Sequence, residues 1–326
     1  MSTKRIKWVD TAKGLAILLV IAGHTAEMGS FTRSIIFSFH IPLFFILSGY
    51  TFHPAETKKE FQAGLLHDAV RLLIPYALTA VIITLVQILY RHNPVMEELR
   101  LLPQALLWAS GTGDGKHPAI GILWFLASMF TVRQLFSLCV LFFGKKDWAY
   151  LPVAGVIAVI GIGLGFMDWN WLIFNLDVSM AAVGFFAAGY LFRQYEERIE
   201  SCRPAVFSVC VIIWTYLLKA FGYIEMSGRW YPEFSLGILE ALCGSYCVIA
   251  FCKSLEKTGK LSEALNQIGR ASLMIMCVHA VEDRVFSFWL KGNIAMHTLE
   301  RIVLDVSVGL FLTWLIYGRR KKQVES

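Results

Sequence analysis

The sequence predicts an all-α fold: a polytopic integral membrane protein of about ten transmembrane helices with both termini cytoplasmic. Three observations carry this. The 326 residues are 56% hydrophobic and only 17% charged, with a mean hydropathy of +0.58, far more apolar than an ordinary soluble domain. The apolar residues come in runs of about 17–25, the length that takes a helix across a ~30 Å hydrocarbon core, without the ~10-residue alternation of barrel strands. Lys and Arg also alternate from side to side: twenty fall on the side of the termini and the even-numbered turns, and eight on the other. That is the positive-inside bias.

In chain order the runs place spans near 13–29, 34–52, 72–90, 120–142, 148–166, 171–192, 204–222, 234–252, 271–290 and 301–318. The first follows Lys4, Arg5 and Lys7 as a secretory signal would, but no small-x-small cleavage signature follows and the run holds His24. It is read as a retained span. The second is aromatic-rich and kinked by Pro42, and the third opens on Arg71 and Pro75. Between the third and fourth lies the longest polar interval, Arg91 to Ala119, with a semi-apolar piece (Leu101 to Ser110) and a turn-rich G-T-G-D-G-K-H-P. This is read as a lid or re-entrant element. Gly161, Gly163 and Gly165 mark close helix contact in the fifth span. The last span is closed by Arg319, Arg320, Lys321 and Lys322. Residues 1–326 are read as one transmembrane domain with no appended soluble domain, multi-pass in the cell (inner or plasma) membrane.

Composition also excludes some functions. The seven cysteines fall mostly inside apolar runs, with no C-x-x-C pair and no Cys/His ligand spacing, so neither a disulfide framework nor a metal site is expected. The net charge of +6 is spread over loops and forms no patch for nucleic acid. The expected surroundings are membrane lipids, and the oligomeric state is left open.

Polar groups inside the spans need a reason. At 1.5 Å per residue His24 lies roughly 16 Å beyond Lys13, His40 roughly 9 Å below the outer surface and His279 roughly 13 Å above Arg270. Three imidazoles converge towards the middle. Charges sort around that level: Lys13, Arg71, Arg133 and Arg270 on the inner side, Asp177, Glu240, Glu282 and Asp283 in the middle or outer half, with Arg284 breaking the pattern. A basic inner vestibule suits a phosphate-rich donor, and an acidic outer one suits hydroxyls. The aromatic outer loop around Arg229, Trp230 and Tyr231 reads either as a sugar-stacking surface or as interfacial anchors.

Two motifs carry a resemblance. One is D-x-x-K-G with a histidine eleven residues after the lysine (Asp10, Lys13, Gly14, His24), and the other is F-H-x-P-L-F-F-x-x-S-G-Y, Phe39 to Tyr50. Supporting them are R-x-x-x-P at Arg71 and Pro75, L-W-F-L at Leu123 to Leu126, and S-L-M-I-M-C-V-H ending at His279. The chain resembles the acyltransferase-3 family of integral membrane O-acyltransferases, in particular its fucose 4-O-acetylase-like branch, over essentially its whole length. The resemblance implies transfer of an acyl group, most commonly acetyl from cytosolic acetyl-CoA, to a hydroxyl of an exported sugar, polysaccharide or glycolipid. It needs no metal.

A sugar hydroxyl is a poor nucleophile until a base takes its proton. His24 is the candidate, as that base or as a transient acyl carrier. His40 or Ser48 would orient it or donate to the oxyanion, and Asp10 and His279 join the catalytic candidates through the motifs. Lys13, Arg71 and Arg133 would meet the donor phosphates, and Trp124 would stack on a ring. Much of the family has arginine where this chain has Lys13, and a lysine meets phosphate as a point charge. The rival reading is a transporter or flippase for a small polar solute or lipid-linked sugar. The absence of an internal repeat weighs against it.

Overall fold

A computed structural model describes residues 5–113, 116–144, 148–167, 172–233, 235–286 and 294–318. Lys4, Lys145, Lys146, Lys291, the Arg319–Lys322 run and the predicted span residues 171, 234 and 287–290 lie outside the described residues.

The described chain is helical, and its β-structure is one isolated bridge between Glu225 and Trp230. Helix α1 spans Lys7–Thr25; α2 (Phe31–Phe37) and α3 (His40–Tyr50) form one broken span. The break at Ser38–Phe39 follows from Pro42, whose ring opposes the carbonyl four residues earlier and is tolerated only in a first turn. Helix α4 (Lys58–Asp68) is capped by the Thr57 hydroxyl and runs through a π-helical turn, Ala69–Leu73, into α5 (Ile74–Tyr90). The same proline rule applies there: Pro75 opposes the carbonyl of Arg71, and the helix widens at that residue. After α6 (Val95–Trp108) come α7 (Trp124–Phe143), α8 (Tyr150–Gly165), α9 (Leu176–Ser201), α10 (Arg203–Phe221), α11 (Ser235–Leu255), α12 (Lys260–Phe286) and α13 (Ile294–Thr313).

Helices occupy all ten predicted segments among the described residues. Six are long and apolar enough to cross a membrane: Phe31–Tyr50, Lys58–Tyr90, Gly121–Phe143, Ile173–Ser201, Arg203–Phe221 and Ser235–Thr258. Helix α8 is apolar but shorter. Helices α1, α12 and α13 are not among these six, and they carry His24, His279 and Asp305.

The bundle end where α1 begins is termed proximal and the end where it terminates distal. Helices α1 and α12 run parallel with their backbones in contact. A Cβ on Gly14 would lie 2.0 Å from the Leu265 carbonyl oxygen, and one on Gly269 1.7 Å from that of Asp10. His24 and His279 each stand ten residues beyond these glycines, so the close approach carries both imidazoles to one level. Gly269→Val is expected to destabilise the protein by about 1–3 kcal/mol or more through overpacking, read as a lower melting temperature in detergent. An unchanged melting temperature would contradict the contact. At the proximal end Lys253 Nζ bonds Glu196 and Glu200 at 2.5 and 2.6 Å, and the Tyr50 hydroxyl donates to Glu196 at 2.5 Å, clasping α3, α9 and α11 together.

Candidate functional site

Two polar clusters are strung along α1. Lys13 and His24 are eleven residues apart, three turns within about 20°, so they share one face at a separation of roughly 16 Å.

In the proximal cluster Lys13 senses the charges of Asp10, Arg71 and Arg133. Arg71 is exposed on the π-helical turn, and Asp10 faces Arg270 at 3.7 Å. Arg133 is anchored from below: its Nε donates to buried Asp68 at 2.8 Å, and Gln134 Nε2 donates to the same oxygen at 3.1 Å. Its Nη1 donates to Ser48 Oγ at 3.3 Å, while its guanidinium carbon stands 4.6 Å from the Phe52 ring. Ser48, expected beside His24, is instead part of this layer. It lies eight residues, roughly 12 Å, beyond His40 along α3. Asp10 is also remote from the imidazoles, fourteen residues or roughly 21 Å before His24. Trp124 is buried at the distal start of α7, against Phe125 and beside Gly111, nine residues from Arg133 and away from the cations.

The distal cluster joins α1, α12 and α13. The His24 and His279 rings lie 5.5 Å apart, edge to face. His279 Nδ1 faces Asp305 Oδ2 at 2.8 Å and Glu282 Oε2 at 3.4 Å, and Nε2 has no hydrogen-bond partner among the described residues. A carboxylate on Nδ1 holds the proton there and leaves the lone pair on Nε2. Arg301 completes the chain, reaching Glu282 at 2.6 Å and Asp283 at 2.9 Å. His279 and Asp305 are each 0% exposed, whereas His24 is half-buried. Of these three, His24 is the one a substrate can reach.

Phe37 stands between His24 and His40, with ring centroids 5.7 and 4.6 Å away. His40 spends its Nδ1–H on the Ile36 carbonyl at 3.0 Å. Arg33 lies 4.0 Å over the Phe37 ring and donates to the Gly23 carbonyl at 2.8 Å. Tyr223 meets Phe37 at 5.7 Å, so the loop after α10 roofs the imidazoles. That loop is pinned by Arg229 on Asp177 at 3.0 Å; Tyr231 is buried and Trp230 is 65% exposed. Burial pushes the Glu225 carboxyl above its usual range, against the Ser227 donors and the Arg33 charge.

His279, Glu282 and Asp305 could by donor type hold a metal ion, with donor atoms within 4.8 Å of one another. The hydrogen bond already made by Nδ1 and the guanidinium on Glu282 make this a proton-holding cluster instead, since a cation would meet Arg301.

Sequence reasoning missed Asp68, Asp305 and Arg301. Arg301 and Asp305, one turn apart in an apolar segment, were the available signal.

A sequence profile described as an acyltransferase domain matches residues 6–318. The chain is 28% identical over 166 residues to nodulation protein NolL of Mesorhizobium japonicum, covering 48% of this chain and 41% of that protein. It is 24% identical over 197 residues to nodulation protein NolL of Sinorhizobium fredii, covering 57% and 48%. The matches span less than half the length of these curated relatives.

Proposed function

This chain belongs to the acyltransferase-domain family, and from that premise we propose that it is a membrane O-acyltransferase moving an acetyl group from cytosolic acetyl-CoA to a hydroxyl of an exported sugar, polysaccharide or glycolipid. The observation that carries the reading is the pair of clusters on one face of α1. The proximal end would be cytoplasmic, with all ten segments spanning the cell membrane. The donor phosphates would meet Lys13, Arg71 and Arg133. The arm from a CoA phosphate to its sulfur has about thirteen bonds, and at roughly 3.3–3.6 Å per three bonds it reaches about 14–16 Å. That matches the separation of Lys13 from His24.

At the distal cluster His24 takes the proton of the acceptor hydroxyl as its oxygen attacks the thioester carbonyl. The imidazolium formed is stabilised through His279 and the Asp305 carboxylate behind it. Collapse of the tetrahedral intermediate breaks the carbon–sulfur bond, and the proton leaves with the CoA thiol. His279 and Asp305 are positioning residues here, because neither is accessible.

The test is purified protein in liposomes with radiolabelled acetyl-CoA and extracted envelope glycolipids. Release of CoA with label in the glycolipid is expected. No release by well-folded protein would move the assignment to the transporter reading.

A further inference from the structure

A void of mixed apolar and polar lining lies on the far side of α12 from the imidazoles. It is bounded by α5, α6, α12 and residues 118–120, and Glu98, Gln87, Thr84 and Arg284 line it together with apolar residues such as Ile83, Leu101 and Ile120. Arg284 is five residues beyond His279, about 7.5 Å along α12 and rotated by about 140° from it. Among the described residues nothing hydrogen-bonds or ion-pairs with its guanidinium. Gly121, at φ +65°, makes room for it: a Cβ there would lie 3.2 Å from Arg284 Nη2. Glu98, the nearby carboxylate, accepts from Asn93 Nδ2 at 2.7 Å.

The setting of this void is inverted relative to a soluble protein. Helix α6 turns Glu98, Leu102 and Ala105 inward, while its opposite face shows Met96, Leu99 and Leu107 at 80, 52 and 51% exposure. Leu85 and Leu89 on α5 are likewise exposed, at 49 and 73%. An apolar outer face with charged groups such as Glu98 and Arg284 behind it is the arrangement of a helix lying in a membrane interface. The void measures about 90 Å³, several times the roughly 10–15 Å³ that one water needs. That leaves room for a phosphate group.

We propose that this void seats the phosphate of an anionic lipid entering from the distal leaflet, with Arg284 as its counter-ion and the chains lying along the apolar faces of α5 and α6. The site is independent of the catalytic reading, since occupancy requires no turnover.

The test uses the full chain in nanodiscs of phosphatidylcholine with increasing phosphatidylglycerol, read by melting temperature and by lipids retained in native mass spectrometry. Phosphatidylglycerol is expected to raise the melting temperature saturably and to be retained. Arg284→Gln should weaken retention at least tenfold without changing the melting temperature in pure phosphatidylcholine, and Arg284→Lys should restore part of it, since an ammonium still meets phosphate as a point charge. Equal retention by Arg284→Gln, or equal effects of the two lipids, would overturn the proposal. So would an effect reproduced in full by inorganic phosphate alone.

Discussion

His24→Ala is expected to lower acetyl transfer by about 10²–10⁴-fold, the range general-base catalysis supplies, with insertion and yield unchanged. His24 is half-buried and neither ring nitrogen is hydrogen-bonded to a described residue, so its removal strands no partner. The packing that sets its position is made by Gly14 and Gly269, fifteen ångströms or so below. The decisive comparison is CoA release by wild type and variant at equal amounts of folded protein. Retained activity in the variant would remove His24 from the mechanism, and loss of folded protein would indicate a structural role.

Asp305→Asn is the second large effect. The amide is the same size as the carboxylate, so packing is preserved, but it carries no charge and its NH2 can donate to Nδ1. The lone pair of His279 then moves to Nδ1 and the proton to Nε2, reversing the polarity presented to His24. A loss on the order of 10²–10⁴-fold in kcat is expected, by the tautomer argument that applies to an aspartate behind a catalytic histidine, with KM for acetyl-CoA little changed because the donor cations lie at the other end of α1. A purely structural Asp305 would instead lower the melting temperature and leave kcat per folded molecule intact. The split between kcat and KM separates the two.

The candidate site was legible in part. His24 and His279 were singled out from residue type and depth, and they do face each other at 5.5 Å. Lys13, Arg71 and Arg133 group by sign in the sequence, and both arginines lie within electrostatic reach of Lys13. The motif spelling sets Ser48 beside the imidazoles, whereas the rise along α3 puts it roughly 12 Å from His40. Asp68 went unnoticed because it sits in the polar stretch before the third span, where a carboxylate carries no signal. Arg301 reads as an outer-loop charge because it opens a predicted span, yet it is 7% exposed and tied to Glu282.

By itself the sequence determined the helical class, the ten helical segments and the kink at Pro42. These depend on run length, hydropathy and proline sterics, all local to a few turns. Tertiary structure alone decided that Asp305 stands behind His279, that Asp68 holds Arg133, and that α6 covers a void beside Arg284. In a membrane each helix is as well satisfied by lipid as by a neighbouring leucine, so hydropathy marks where helices lie and says nothing of which ones touch. The choice is made where backbones approach closely, as at Gly14 and Gly269, and where buried charges find partners across the bundle.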